Sequence, residues 1–229
     1  FKDEARREDV MLKTFLADLM TDCSSKYHSR KEVARYLEEL YQASFYGLTN
    51  KTGNLIMTSF VLNFLNPKFA LEQDYLEHVL ALPFEMILNP AINAGDFDIK
   101  NFNVVKNRLH DEILSVGENI TRVSLKKALE KLDHNSPTSY GVLGTIEELE
   151  EISPKTLAEA YQDLIASSCD IYIIGDLDMD MVANIIFKYF KNPVVKTKKL
   201  PDLYAHNPAF KRLRTYQEEP KFLETNLVQ

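Results

Sequence analysis

Within Asp74-Tyr75-Leu76-Glu77-His78 a carboxylate and an imidazole stand at i and i+4, with a second carboxylate between them. On a helix those positions share a face, so Asp74 and His78 could hold one metal ion while Glu77 acted as base on its bound water. A hydrolytic zinc centre also needs a third protein ligand, and nothing near this pentapeptide supplies one. The bland reading is a solvated helix face. Of the other histidines, His28 falls beside a helix start, His110 adjoins Asp111-Glu112, and His134 and His206 fall in turns or linker; none pairs with a His or Cys at ligand spacing. Cys23 and Cys169 lack the local signature of a nucleophile, and no G-x-S-x-G occurs. Gly175-Asp176 is no phosphate cradle, which needs several glycines ahead of a helix, and this chain has only seven. The acidic run Glu147–Glu151 and the basic Lys126, Lys127 and Lys131 read as solvated faces or a short helix.

Composition narrows the class. Among 229 residues, 45% apolar and 27% charged content is ordinary for a globular protein with a sizeable core. A net charge of −7 argues against nucleic acid, whose binders need a basic face to displace counterions. No apolar run approaches the ~20 residues that span a bilayer, so no membrane partner is expected. Two distant cysteines are not a disulfide framework, which points to a reducing compartment.

The elements that must position any site follow from periodicity and punctuation. A helix is expected from Asp9, with Val10, Leu12, Phe15, Leu16, Leu19 and Met20 on one face. A second starts at Ser29, with Glu32 completing a capping box. Strands at Ser44–Leu48 and Asn54–Phe64 form a hairpin through Thr49–Gly53. A third helix covers about 68–88, kinked at Pro83. A long helical stretch runs from Asp98 to Leu132, interrupted near Gly117–Asn119. Ser153 caps a helix with Pro154 at its first position, and Leu157, Ala160, Tyr161 and Leu164 repeat at helical spacing. Ile171-Tyr172-Ile173-Ile174, closed by Gly175-Asp176, reads as a buried strand, and a helix follows from Asp178 to Phe190. After Pro193 the prolines and mixed charge suggest an extended linker. The sum is an α+β domain, with helices packed on one face of a largely antiparallel sheet.

The order of glycine, capped helix, apolar strand and Gly-Asp across Ser139–Asp176 resembles the closing part of a domain in the pitrilysin/insulinase family, the inverzincin zinc metallopeptidases. Active members carry H-x-x-E-H on their first helix and a glutamate ligand on a later long helix. Laid on this chain, the motif falls on Thr14–Asp18. Its histidine positions read Thr14 and Asp18, its base position Ala17, and its third-ligand position Val105, at a separation somewhat longer than the family norm. Neither zinc nor another cofactor is therefore expected. The resemblance implies a non-peptidase homologue, similar to the non-catalytic subunit of processing peptidases, that binds peptide or pairs with an active zinc-peptidase subunit. It also implies one domain over residues 1–195, with residues 196–229 leading to a second homologous half whose first strand resembles Lys221–Gln229. A bacterial, cytoplasmic setting is expected. Two other readings stay open: a metal-dependent peptidase with a displaced site using Asp18, Asp74, His78 or His110, and a stand-alone scaffolding domain.

Overall fold

Most of the helix Arg7–Asp22 (α1) is buried, and the rest of the chain is arranged around it. Its Met11, Phe15, Leu16, Leu19 and Met20 enter one apolar cluster, while Val10 packs with Ala5 and Ile56. The structure, a computed structural model, describes residues 1–118, 120–132, 136–190 and 200–202. Ahead of α1 lies the short strand Lys2–Glu4 (β1). After it come Arg30–Glu39 (α2), the hairpin of Ser44–Thr52 (β2) and Leu55–Asn63 (β3), and Tyr75–Leu88 (α3). A small ribbon, Ile92–Asn93 (β4) with Asp96–Phe97 (β5), leads into Ile99–Glu118 (α4) and Ile120–Leu132 (α5). Ile146–Glu150 (α6), Pro154–Ile165 (α7) and Met179–Tyr189 (α8) complete the order.

The main sheet runs β1-β3-β2, antiparallel throughout. Alternation along the strands turns Phe45, Gly47, Ile56, Thr58, Phe60 and Leu62 to the helices, while Tyr46 and Leu48 stay exposed on the other face. The α+β layout with helices on one face is therefore the observed one. Two apolar clusters lie on the helix side. One joins α1, α4, α6 and α7; the other joins α2, β2, α3 and α8, and Phe60 borders both. Where β2 crosses α1 the two backbones nearly touch: a Cβ at Gly47 would sit 2.2 Å from the Ala17 carbonyl oxygen. Only glycine permits that approach.

Local punctuation works as expected at several helix ends. The Ser153 hydroxyl accepts from the Thr156 amide, with Pro154 in the first turn, and buried Leu157 and Leu164 anchor α7. Each such leucine contributes about 1.5–3 kcal/mol by leaving water. At α2 the Ser29 hydroxyl accepts from Glu32, but Glu32 reaches the amide of His28 rather than that of Ser29. Of the interruption expected near Gly117–Asn119, Gly117 and Glu118 continue α4, and Asn119 lies outside the described residues.

Three elements differ from expectation. The hairpin has no long loop: Thr49–Thr52 continue β2, and the chain turns at Gly53-Asn54, with Gly53 at φ +56°. Asn66-Pro67 starts a 3-10 turn through Phe69, and the helix expected from residue 68 begins only at Tyr75. Ile171–Ile174 form no strand; Ile171, Tyr172 and Ile174 are exposed, and Ile174 is 97% so. The cause lies in the register. Lys2 bridges antiparallel to Ser168, so Ile171–Ile174 run past Phe1, opposite none of the described residues. The linker and tail beyond Pro193 lie outside the described residues, apart from Leu200–Asp202.

Gly47→Ala tests the contact that seats α1 on the sheet. Because helix backbone blocks the new methyl, the variant should lose about 1–3 kcal/mol, the usual range for overpacking. A lowered urea midpoint would show this; an unchanged midpoint would mean that the two backbones are free to separate.

Candidate functional site: the α1–α4 face and the β2 edge

Thr14, Ala17 and Asp18 occupy successive turns of α1, and Val105 lies on α4, which packs against it. Each position is already satisfied. The Thr14 hydroxyl donates to the Val142 carbonyl at 2.6 Å, so the segment ahead of α6 covers it. Ala17 is buried, its carbonyl pressed towards Gly47 and accepting from the Thr21 hydroxyl at 3.2 Å. Val105 is fully buried in the cluster that holds Phe15 and Leu16. Asp18 accepts from Arg108 Nη2 at 3.0 Å and from Nε at 3.3 Å.

Arg108 also donates through Nη1 to Asp22 at 2.7 Å, while Arg30 of α2 stands 3.8 Å from the other Asp22 oxygen. One guanidinium thus clamps two turns of α1 to α4. Burial raises the Asp22 pKa above the ordinary carboxylate value, with Arg108 opposing the rise. Burial also pushes the Arg108 pKa down, but Asp22 and Asp18 outweigh it and the net shift is upward. The clamp was not anticipated from sequence; the available signal was two aspartates at i and i+4 on the predicted α1. Chemically, a hydroxyl spent on a carbonyl, a methyl, an isopropyl group and a carboxylate held by arginine offer neither a general base nor a set of zinc ligands.

The displaced-site residues are not brought together. Asp74 and His78 approach to 3.5 Å, exposed at the start of α3. Glu77, the would-be base, accepts instead from Lys188 and from Tyr189 at 2.7 Å, and the Lys188 bond above all holds its pKa below the usual value. His110 stands 3.7 Å from Asp111. No group of three or more His, Cys, Asp or Glu is poised for a metal among the described residues. His134 and His206 lie outside them. Burial pushes the Cys23 thiol up to about 12, which removes it as a nucleophile.

A second feature of this face is backbone rather than side chain. β3 pairs with β1 on one side and β2 on the other, leaving β2 outermost in the main sheet. Thr58 exchanges both backbone bonds with Phe1, and ladder alternation then directs Leu48 and Asn50 of β2 to β3 and turns Phe45, Gly47, Thr49 and Lys51 outwards. Among the described residues no strand pairs with that edge, which passes directly over Ala17.

No family model matches the chain. In sequence it is 27% identical over 187 residues to a protein of Bacillus subtilis (strain 168) described as "Probable inactive metalloprotease YmfF". That match covers 81% of this chain and 44% of the relative, so the chain spans less than half of that protein. In fold it is similar to a conserved protein from Enterococcus faecalis V583, with TM-score 0.78, 23% identity, and coverage of 95% of this chain and 50% of that one. It also resembles a peptidase M16 inactive domain from Pseudomonas fluorescens (TM-score 0.52, 15% identity, 72% and 37% covered). A third likeness is to the first half of the periplasmic protease PqqL from Escherichia coli (TM-score 0.58, 13% identity, 95% and 43% covered). The fold is that of a peptidase M16 domain. In sequence the chain is similar to a probable inactive metalloprotease, and it carries no H-x-x-E-H motif.

Removing the clamp should weaken the fold in a pH-dependent way. Arg108→Met is expected to lose about 1.5–3 kcal/mol at pH 7, as for hydrogen bonds to charged groups. Its Asp22 pKa should rise further without the guanidinium. A raised folded-state pKa means that the native state binds more protons, so stability falls as pH rises from about 3.9, the unfolded value, to the folded one. The deficit against wild type should therefore shrink as pH drops from 7 towards 4. Urea titrations across that range measure it, and a constant deficit would remove Asp22 as the cause.

Proposed function

We propose that this chain is a catalytically inactive, peptide-binding domain that works beside an active zinc-peptidase subunit in a bacterial cytoplasm. The observation that carries the reading is the open edge of β2, which crosses the helix position where an active relative holds its base. An extended peptide would add there as a further strand, bonding to the outward amides and carbonyls of Phe45, Gly47, Thr49 and Lys51. Backbone bonds make such recognition tolerant of sequence. The net charge of −7 favours neutral or basic peptides. With its motif positions satisfied as described, the domain would retain an extended chain without cutting it.

Thr49→Pro is the direct test. It deletes one outward N–H at an edge position where proline is tolerated. A fluorescein-labelled peptide of alternating lysine and valine should bind wild type and lose at least about tenfold in affinity with the variant, one charge-neutral backbone bond being worth about 0.5–1.5 kcal/mol before steric exclusion by the ring is added. Circular dichroism should be unchanged. Equal affinity for both proteins would remove β2 as the binding edge.

Metal content gives a separate check. Protein purified without chelator should carry zinc well below one equivalent by inductively coupled plasma mass spectrometry. Stoichiometric zinc that is lost on Asp74→Ala or His78→Ala would overturn the inactive reading.

A further inference from the structure

The opposite side of the sheet is incomplete in a way that specifies what completes it. Phe1 belongs to the β1–β3 ladder: its amino nitrogen donates to the Thr58 carbonyl at 2.9 Å, and the Thr58 amide donates to the Phe1 carbonyl at 3.0 Å. Beyond that pair β3 continues through Ser59–Asn63 with no neighbour on this side among the described residues. Ladder alternation aims the amides and carbonyls of Phe60 and Leu62 into the gap.

The far wall is the apolar segment that failed to become a strand. Lys2 donates to the Ser168 carbonyl at 2.8 Å in an antiparallel bridge. Continued past Phe1, the β1–β3 register places successive upstream residues opposite Ser59, Phe60, Val61, Leu62 and Asn63. The Lys2–Ser168 register places the same residues opposite Asp170, Ile171, Tyr172, Ile173 and Ile174. Two independent pairings thus converge on one strand position that no described residue fills. They agree on side-chain facing as well. Phe60 would share a row with Ile171, and Leu62 with Ile173, on the helix side; Ile173 already packs partly into the cluster that takes in Leu62. Val61 would share a row with Tyr172 on the outer side. Ile171-Tyr172-Ile173-Ile174 has the composition of a strand and the exposure of an unpaired one.

We propose that this gap is a single-strand slot, filled by an extended segment of the polypeptide joined directly ahead of Phe1, hydrogen-bonded to β3 on one flank and to Ile171–Ile174 on the other. The rows specify its chemistry: apolar side chains two and four positions ahead of Phe1, facing the helices, with polar residues tolerated between them. Filling the slot turns Ile171–Ile174 into a strand and joins α7 and α8 to the sheet. This site lies across the sheet from β2 and does not depend on the peptide-binding reading.

The test extends the 229-residue chain with Thr-Val-Thr-Val-Thr ahead of Phe1, which places valine at both helix-facing positions. A control extension, Val-Thr-Val-Thr-Val, has the same length but the opposite facing. Amide hydrogen exchange is then read at Phe60, Leu62, Tyr172 and Ile174. The first extension should slow exchange at all four at least tenfold, and the control much less. Unchanged rates would overturn the proposal, as would equal protection by both extensions. Protection of these amides in the unextended chain, together with a dimer in sedimentation, would assign the slot to a second copy and overturn it too.

Discussion

The seat of α1 on the sheet is the constraint on which the other arrangements depend. Gly47 lets β2 approach the helix backbone to a distance that any side chain would block. With α1 that close, its side chains divide among three neighbours: Val10 to the β1–β3 end, Phe15 and Leu16 to α4 and α7, and Asp18 and Asp22 to Arg108. A helix with buried residues around most of its circumference has little surface left for water. Its polar groups must therefore find protein partners, because an unpaired buried carboxylate costs more than its share of the fold can return.

The same constraint explains why α1 carries no chemistry. A zinc ligand has to be held in place yet left uncommitted, and a catalytic base has to face water. Thr14 and Asp18 are held but committed, one to Val142 and the other to Arg108, while Ala17 and Val105 contribute packing alone. Arg108 takes the electrostatic role a cation would have had between α1 and α4. It is a fixed charge, and it opens no coordination position to substrate.

Sequence reading succeeded where structure is written locally and failed where it depends on distant partners. The caps of α7 and α2 and the apolar faces of α1 and α8 all follow from residues within one or two turns. The hairpin is visible in the sequence, but its polar end reads as loop. Thr49–Thr52 are strand residues: Asn50 and Thr52 lie on the exposed face, Thr49 and Lys51 turn to the helix side, where the Lys51 ammonium donates to the Pro137 and Tyr140 carbonyls, and Gly53, with its positive φ, marks the actual turn. Asn66-Pro67 signals a start but cannot say whether a helix or a single 3-10 turn follows. The Arg108 clamp joins residues some ninety positions apart, beyond any periodicity. The positions that the resemblance assigns lie where α1 meets α4, and the partners that occupy Thr14 and Asp18 there are not legible in the sequence.

Ile171–Ile174 show the limit most clearly, and they also show what an apparent failure of prediction can mean. Composition describes what a segment does once it has a neighbour; it carries no information on whether that neighbour is present. A β-branched run left exposed beside a sheet is costly in isolation, both through its apolar surface and through its unpaired backbone. The discrepancy between propensity and conformation therefore measures an unmet demand. Here two registers, set independently by Thr58 and by Ser168, state that demand in the same terms. The β2 edge is different in kind. Among the described residues it is unpaired along its length, yet Phe45, Thr49 and Lys51, whose amides face outwards, already turn their side chains inwards, so the strand is complete without an occupant. One edge is stable while empty and suited to transient peptide; the other is an interruption in the core, suited to a segment that stays.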